Sequence, residues 1–468
     1  MKSMDALHTE LSRVAPRFSI GVLDSEGMGS RIRAAIRVCG VDAKRRSPLH
    51  PALVFWLTMA LSLMRTFSIP NVLLSILSSL RGRHRGLALR PVSDGAIAHA
   101  RRRLGTEVFR LVFEDLAETV QPEASFHGHR VFAIDGFTST VADTPANEAG
   151  FGRHVASRGT TAFPQFTTVL LQCVRTHEIR AARWMRHHGA ERPQAWKMLQ
   201  YLGRHDLVLL DRGFFGIHFF KALEEQGTAF VARSKSNIRA RSKTLRGAGD
   251  YDVLLESKWV PKHLRAQTPW GQGTARIRLR QIEYTLDGKT TVWLLTNLMD
   301  RSISPREIIE LYHERWEVEI GIDEIKTHLC GASKGTLQTT FRGRTPDMVQ
   351  QELWATLTLY TLTRRLITCA TRPKRIDPRR ISFVDALVVI RSAGPDIERT
   401  PVSQLPDRYA SLLEDIADCK MSRWRRPRRY PRVLRIKELD HRRKRPSDRG
   451  GPFRWDECLK MGAVPMTP

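Results

Sequence analysis

The chain has 468 residues, and its apolar content of 41% is enough for a sizeable packed core, which predicts a globular protein of two or three domains. Lys and Arg number 76 against 48 Asp and Glu, so the formal net charge is +28, far more than solubility requires. This charge favours nucleic acid as the partner over a ribosome-like or membrane-surface role, since no basic amphipathic anchor stands out.

Membrane insertion and secretion are not expected from the sequence. The longest uncharged apolar run, "PALVFWLTMALSLM" from Pro51, is shorter than the roughly 20 residues of a membrane-spanning helix. The N-terminal "MKSMDALHTELSRV" lacks the apolar core of a signal peptide. The six cysteines are scattered without a C-x-x-C pair, which indicates free thiols in a reducing compartment. We therefore expect a cytoplasmic protein with no membrane partner.

The first 120 or so residues predict helices. "HPALVFWLTMALSLM" and "IPNVLLSILSSL" have helix-length apolar content without strand-like alternation. "VSDGAIAHARRRLG" predicts a short helix, capped by Ser93 or Asp94, that ends in Arg101, Arg102 and Arg103. These three arginines are candidates for DNA contact, with a solvated helix face as the equal alternative.

From about residue 128 the sequence predicts an α/β core. "HRVFAID", "FPQFTTVLLQCV" and "DLVLLDRGFFG" read as short buried strands that alternate with helical stretches. Between about 230 and 300 the pattern changes to a β-rich insertion, and helices follow. The arginine-dense end, "KMSRWRRPRRYPRVLRIKELDHRRKRP", is typical of a surface-draped anion-binding tail.

Two aspartates are predicted to end strands of this core. Asp135 closes "RVFAID" and Asp211 closes "DLVLLD". A carboxylate at the end of a buried strand must face solvent, a partner or a metal, because an unpaired buried charge is costly. Either residue alone is more often a turn former. Together they can converge on one sheet edge, where Mg²⁺ takes oxygen ligands.

A third carboxylate is predicted on a helix. Ser304, Pro305 and Glu307 form a capping box with proline at the first helical position, which fixes the start of this helix. At about 100° per residue, two apolar stripes follow. The stripes comprise Leu311, Val318, Ile322, Ile325 and Leu329, and Ile309, Trp316 and Ile320.

Between the stripes lies a polar strip that is predicted to line a site. It comprises Tyr312, Arg315, Glu319 and Lys326 within an arc of roughly 60°. The alternative is that Arg315 and Glu319 are an ordinary i, i+4 pair. Asp323 is on the same arc and is an alternative to Glu319 as a ligand. Three carboxylates around two Mg²⁺ ions suit phosphodiester cleavage and transfer, with the flanking bases positioning DNA phosphates.

These residues resemble the DDE transposases of the insertion sequence 4 family. The resemblance rests on Asp135, on Asp211 in "DRGFFG", and on the Y-x2-R-x3-E-x6-K spacing of Tyr312, Arg315, Glu319 and Lys326. It implies a helical N-terminal DNA-binding domain (1–125), an RNase H-like catalytic domain (126–400) with a β-rich insertion (about 230–300), and a basic C-terminal region (401–468).

The resemblance also implies an activity and partners. It implies a bacterial cut-and-paste enzyme with Asp135, Asp211 and Glu319 as catalytic and metal-binding residues and with Mg²⁺, or Mn²⁺ in its place, as cofactor. Its substrates would be the transposon ends and target double-stranded DNA, with a hairpin intermediate. The protein is expected to act as a homodimer in a synaptic complex, associated with the nucleoid.

Trp293 in "TTVWLLTN" matches the family's insertion tryptophan that stacks on a flipped base near the transposon end. The alternative is a core tryptophan in a strand, and Trp259 and Trp270 are weaker candidates. His187, His188 and His205 lack metal-ligand spacing and are expected at the surface. Whether the acids Glu148 and Glu191 support the site stays open.

Two rival functions share most of these features. A metal-dependent nuclease would have the same three carboxylates without strand transfer. A non-catalytic DNA-binding transposase derivative would gain nothing from clustered carboxylates facing phosphates, so the intact Asp135, Asp211 and Glu319 argue against it.

Overall fold

A computed structural model describes most of the chain. The described residues are 27–42, 49–81, 92–156, 159–186, 191–235, 238–258, 274–286, 290–331, 340–421 and 459–461. They form two compact units, of which the first comprises residues 1–210 and 313–420 and the second residues 211–312 and 421–468. Most of the basic tail lies outside the described residues.

Thirteen α-helices are described. In chain order they are α1 (Met28–Val38), α2 (Pro51–Leu63), α3 (Ile69–Arg81), α4 (Asp94–Leu104), α5 (Glu107–Glu118), α6 (Pro145–Phe151), α7 (Glu191–Met198), α8 (Ile217–Gln226), α9 (Pro305–His313), α10 (Trp316–Asp323), α11 (Pro346–Thr371), α12 (Phe383–Arg399) and α13 (Leu405–Asp418). A π-helix, Glu324–Leu329, continues directly from α10.

The described strands number twelve. They are β1 (Arg130–Thr140), β2 (Val155–Ala156), β3 (Gly159–Thr160), β4 (Gln165–Cys173), β5 (Ile179–Arg186), β6 (Asp206–Leu210), β7 (Ala229–Arg233), β8 (Ser242–Gly247), β9 (Asp250–Ser257), β10 (Ala275–Leu286), β11 (Thr290–Thr296) and β12 (Leu459–Met461). The protein therefore has the mixed α/β architecture that the sequence predicts.

The helical core of the first unit is built around two long apolar helices. All thirteen residues of α2 are buried, as expected for a helix that is apolar on every side. Helix α11 has 26 residues, starts at the N-cap Thr345 and packs against α2, α5 and α13. Phe55 of α2 stacks on Phe109 of α5 with ring centroids 4.6 Å apart. In the described part of the chain, no helix is long and apolar enough to span a bilayer.

The sheet of the first unit has the strand order β5-β4-β1-β6. Strands β4 and β5 form an antiparallel hairpin, and β4 pairs antiparallel with β1, with Asp135 opposite Leu170. Strand β6 runs parallel to β1, with Leu210 opposite Ile134. All five residues of β6 are buried, which matches the continuous apolar run that the sequence shows there.

The second unit contains its own antiparallel strands, in the order β7-β11-β10-β9-β8, and β12 pairs with β10. Arg280 of β10 is buried and makes two hydrogen bonds to Asp250 of β9, at 2.9 and 2.8 Å. This pair compensates the cost of burying a charge.

The five described cysteines, Cys39, Cys173, Cys330, Cys369 and Cys419, are free thiols, as the sequence predicts for them. Cys458 lies outside the described residues. Burial raises the pKa of Cys330 to about 12, so this thiol is inert at neutral pH.

Candidate active site

Asp135 lies within a strand rather than at its end. The sequence predicts that the strand stops at Asp135, but β1 continues to Thr140. This prediction was wrong because the following "GFTST" is rich in β-branched and aromatic residues, which outweigh the turn preference of Asp-Gly. The carboxylate of Asp135 accepts a hydrogen bond from the backbone N–H of Gly136 at 2.8 Å.

Asp211 is the first residue after β6, as the sequence predicts. Its Oδ1 accepts a hydrogen bond from the backbone N–H of Gly213 at 3.1 Å, which caps the short 3₁₀ turn Arg212–Phe214. Strand β6 runs parallel to β1, with Leu210 opposite Ile134. Asp135 directly follows Ile134, and Asp211 directly follows Leu210.

Gly136 leaves room for an acid beside Asp135. A Cβ added at Gly136 would lie 2.7 Å from Oε1 of Glu191, at the start of α7. Glu191 therefore approaches the backbone next to Asp135, whereas Glu148 forms an ion pair with Arg153 at 3.0 Å and is about half exposed. The sequence alone leaves the role of both acids open, and the structure brings only Glu191 to this place.

The capping box at the start of α9 is confirmed. The Ser304 hydroxyl and backbone N–H both donate to Glu307 Oε2, at 2.7 and 2.8 Å, and the N–H of Glu307 donates back to the Ser304 hydroxyl at 3.3 Å. These bonds satisfy backbone donors that a helix N-terminus otherwise leaves without partners.

The signature helix is not continuous, contrary to the prediction from its periodicity. Helix α9 ends at His313, a turn occupies 314–315, and α10 starts at Trp316. The predicted angular positions of the side chains assume an unbroken α-helix with about 100° per residue. They are therefore wrong across the turn and again in the π-helix that contains Lys326. All residues of the first predicted stripe are buried. Trp316 of the second predicted stripe is 50% exposed, so this stripe is not buried along its whole length.

Arg315 joins two of the predicted carboxylates. Its Nη2 donates to Glu319 Oε1 at 2.6 Å, and its Nη1 lies 3.4 Å from Asp135 Oδ2. Only 10% of the Arg315 side chain is exposed, so this is more than a surface i, i+4 pair. Asp323, the alternative ligand, is exposed and accepts a hydrogen bond from Thr327 instead.

A buried polar network lies behind this helix, and sequence reasoning missed it. His177, in the turn between β4 and β5, makes a 2.8 Å hydrogen bond to Glu317. Glu324 accepts hydrogen bonds from Tyr360 at 2.8 Å and from Arg364 at 3.1 Å, both on α11. The network ties α10 and the π-helix to the sheet and to the central helix. Its partners are up to 140 positions apart, so no local pattern predicts it.

The ionisation of Glu324 follows from these contacts. Burial alone would raise the pKa of its carboxyl, but Arg364 and His177 outweigh burial and hold the pKa well below its usual range. Glu324 is therefore ionised at neutral pH, and the buried charge is compensated by its bases.

The other predicted DNA-contacting residues are placed as follows. Tyr312 is buried at the end of α9 in the second unit, and Lys326 is half-buried in the π-helix. Trp293 of β11 is partly exposed, which distinguishes it from a fully buried core tryptophan. Trp259 and Trp270 lie outside the described residues.

The three arginines at the end of α4 do not share one environment. Arg101 is 2% exposed and forms an ion pair with Glu352 of α11 at 3.1 Å, as well as a hydrogen bond to Gln351 at 3.1 Å. The prediction that Arg101 contacts DNA is therefore corrected, because its guanidinium is buried and hydrogen-bonded inside the first unit. Arg102 and Arg103 are exposed.

Oxygen ligands, rather than histidine, define the predicted metal site. His205 is exposed, and His187 and His188 lie outside the described residues. Across the described ranges, no three His, Cys, Asp or Glu side chains form a cluster that could hold a metal ion as they stand. Asp135 and Glu319 nevertheless fit a hard cation, because they already share the cationic guanidinium of Arg315 and offer only oxygen donors.

The chain is similar to known proteins in three comparisons. Residues 126–362 match the family model described as Transposase DDE domain, and residues 17–114 match Insertion element 4 transposase N-terminal. Transposase InsG for insertion sequence element IS4 of Escherichia coli is 27% identical over 402 residues, which cover 84% of this chain and 86% of that protein. A piggyBac transposase chain, solved by cryo-EM in a synaptic complex with hairpin DNA, is 11% identical with a TM-score of 0.47, and 85% of each chain is covered.

The DDE-domain match spans more than half of the chain and defines its class, a DDE transposase, which is an enzyme that cleaves and joins DNA. Together with the N-terminal match, it shows that the chain belongs to the insertion sequence 4 family of these transposases. Enzymes of this family depend on divalent metal ions.

Proposed function

We propose that this transposase works by a cut-and-paste mechanism in which Asp135, Asp211 and Glu319 hold divalent metal, Mg²⁺ in the cell with Mn²⁺ as a substitute. The observation that supports this most is the contact of Arg315 with both Asp135 and Glu319. Asp135, 180 positions from Arg315 in the chain, and Glu319 meet at the single guanidinium of Arg315. Bound there, the metal supplies Lewis acidity and an activated water or 3′-hydroxyl for phosphodiester chemistry.

The chain's own residues have separable roles in this proposal. Strand β1 fixes Asp135, the capped turn after β6 fixes Asp211, and the buried network of Glu317 and Glu324 fixes the helix of Glu319. Arg315 holds two carboxylates close together, which offsets their mutual repulsion before DNA binds. The order β5-β4-β1-β6, with β6 parallel to β1, supports an RNase H-like core as its scaffold.

The N-terminal helices with Arg102 and Arg103 are proposed to bind DNA, as are Lys326 and the basic C-terminal region. Tyr312 and Arg315 are proposed to reach a phosphate at the site once DNA is bound. Trp293 is proposed to stack on a base near the transposon end and to favour a hairpin intermediate. The active form is proposed to be a homodimer that synapses two ends. The domain limits 1–125, 126–400 and 401–468 remain part of this proposal.

The test uses labelled DNA that contains the ends of the element flanking this gene. Wild-type protein with Mg²⁺ should release hairpin and joined products. Asp135→Asn, Asp211→Asn and Glu319→Gln should bind the same ends and give no cleavage, because each removes one ligand charge. Nicks without joining would support a nuclease instead. Binding without any cleavage by the wild type would support a non-catalytic derivative, and normal cleavage by one variant would remove that residue from the site.

A further inference from the structure

A cavity of about 660 Å³ in the first unit has four arginines in its lining. Its walls are the end of α5 with the following loop, the turn between β4 and β5, and the end of α11 with the loop after it. We call it the cationic cleft. Its charged lining residues are Arg175, Arg365, Arg372, Arg375, Glu123 and Glu178. The cleft therefore has a formal charge of +2.

Both acids of the cleft are neutralised by arginines that also line it. Glu178 accepts a hydrogen bond from Nε of Arg365 at 3.0 Å, and Glu123 lies 3.4 Å from Nε of Arg372. Within the described residues, neither Arg175 nor Arg375 forms an ion pair, although Arg175 is close enough to Asp377 to help lower the pKa of that carboxyl. The excess charge of the cleft is thus concentrated on these two guanidinium groups, the arrangement that suits an incoming phosphate.

The backbone at Arg375 indicates that its side chain is used. The turn after α11 has the hydrogen bonds of a Schellman motif, from Ile376 N–H to Thr371 O and from Arg375 N–H to Arg372 O, both at 3.1 Å. Arg375 occupies its left-handed position with φ of 52°. Glycine is the favoured residue there because it adopts this conformation without steric strain. An arginine at such a strained position, on the wall of a cationic cavity, points to a function of the guanidinium.

The cleft lies close to the proposed active site. Pro378 is part of its wall, and Arg379 next to it forms an ion pair with Glu314 at 3.2 Å. Glu314 precedes Arg315, which contacts Asp135 and Glu319. Along β1, on the order of 10 Å separates Asp135 from Phe132, the partner of Cys173, and the cleft residues Arg175 and Thr176 follow Cys173 within three residues. Duplex DNA advances about 3.4 Å per nucleotide, so a bound strand would span this distance within a few nucleotides.

Two of the acids beside this wall share one arginine, so together they leave one negative charge against the +2 of the cleft. Asp377 and Glu314 are both paired with Arg379, and Glu317 is hydrogen-bonded to His177. Burial would raise the pKa of Asp377, but Arg379 outweighs it and lowers the pKa.

We propose that the cationic cleft is a second DNA-contact surface, which grips backbone phosphates a few nucleotides from the scissile bond through Arg175 and Arg375. The inference rests on the proposed function only for the location of the scissile bond. Contact with DNA itself is measured without cleavage.

The test is the salt dependence of binding by the full chain to a duplex of about 40 base pairs, without divalent metal. The variants are Arg175→Gln, Arg375→Gly and their combination. Arg391→Gln is the control, since it removes one charge from an exposed position on α12. The slope of log K against log salt should shrink by about 0.9 for each cleft arginine removed, with roughly a tenfold loss of affinity in the double variant, while Arg391→Gln keeps the wild-type slope.

A melting curve separates contact from folding. Arg375→Gly should melt at or above the wild-type temperature, because glycine relieves the left-handed strain, while its DNA slope still falls. An unchanged slope of log K against log salt in the double variant would overturn the proposal. A decrease of this slope in Arg391→Gln as large as that in a single cleft variant would also overturn it. Inorganic phosphate could instead raise the melting temperature of the wild type and not that of the double variant, with DNA binding unchanged in both. This result would show that the cleft is a small-anion site and not a DNA-contact surface. Because no metal is present, failure of the cleavage proposal leaves these outcomes unaffected.

Discussion

The guanidinium of Arg315 lies 2.6 Å from Oε1 of Glu319, one helical turn further along the chain. The same group reaches Oδ2 of Asp135 at 3.4 Å, so one base is shared by two carboxylates of the proposed metal site. In this arrangement the positive charge of Arg315 reduces the repulsion between the two carboxylates, as a divalent cation bound there would.

Replacing this base should change the response of the protein to metal. Arg315→Gln leaves Asp135 and Glu319 without their shared cation, so we expect a lower melting temperature in EDTA and a larger rise on adding Mg²⁺ than in the wild type. Arg306→Gln removes an exposed arginine paired with Glu310 and is the matched control. An equal Mg²⁺ response in wild type and Arg315→Gln would argue against a metal site at these carboxylates.

The arginines of α4 should separate into a structural and a surface group. Arg101→Ala breaks the buried pair with Glu352 and should lower the free energy of unfolding by about 3 kcal/mol. Arg102→Ala or Arg103→Ala should change it by less than about 0.5 kcal/mol, because both side chains are exposed. Urea unfolding measures both effects. If Arg102→Ala and Arg103→Ala also keep the wild-type salt dependence of DNA binding, the end of α4 does not contact DNA.

Glu324 should make stability depend on acid pH. Its folded-state pKa is below the ordinary value of 4.5, so its contribution is complete above about pH 4.5 and is lost as the pH falls through the lower folded-state pKa. The wild-type free energy of unfolding should therefore decrease as the pH is lowered below about 4.5. Protonation of this one group contributes up to about 1.4 kcal/mol per pH unit to the decrease.

The variant Glu324→Gln isolates that contribution. It leaves Arg364 buried without its carboxylate and should destabilise the protein by about 3 kcal/mol at pH 7, with a shallower acid slope. The double variant Glu324→Gln/Arg364→Met should recover part of this loss, because it removes the uncompensated charge. Identical acid slopes in the wild type and Glu324→Gln would show that Glu324 is not held ionised by its bases.

Trp293 should act on DNA more than on folding. Trp293→Ala removes a partly exposed ring and should cost about 1 kcal/mol of stability or less. Loss of stacking on a base is typically about 1–3 kcal/mol, so hairpin formation should slow by roughly tenfold or more. Trp293→Phe, which keeps an aromatic ring, should retain most of the rate. The emission of 2-aminopurine placed near the transposon end reports the flipped base, and an unchanged signal in Trp293→Ala would exclude stacking there.

Local signals predicted the parts of the site that depend on neighbours in sequence. The capping box of Ser304 and Glu307 is confirmed, because its partners are three residues apart. The pairing of Arg315 with Glu319 also follows from i, i+4 spacing. Short apolar and β-branched runs likewise predicted the mixed α/β class, since strands such as β4 and β6 are buried along almost their whole length.

The burial of Arg101 and of Trp316 depends on contacts with distant residues or on an interruption of a helix. Arg101 looks like a surface arginine until α11 brings Glu352, 251 positions later, against it. Trp316 fits an apolar stripe only if the helix is continuous, and the turn at 314–315 rotates it to the surface. Tertiary contacts of this kind decide burial, and a single sequence does not contain them.

The assignment of the active site is tested most directly by comparing Glu319→Gln and Glu310→Gln in Mg²⁺-dependent cleavage of labelled element ends. Both variants remove one glutamate charge from the same signature segment, but Glu310 is a partly exposed residue paired with Arg306. We expect Glu310→Gln to cleave and join like the wild type and Glu319→Gln to bind the ends without cleaving them. Cleavage by Glu319→Gln at the wild-type rate would contradict the assignment of the active site.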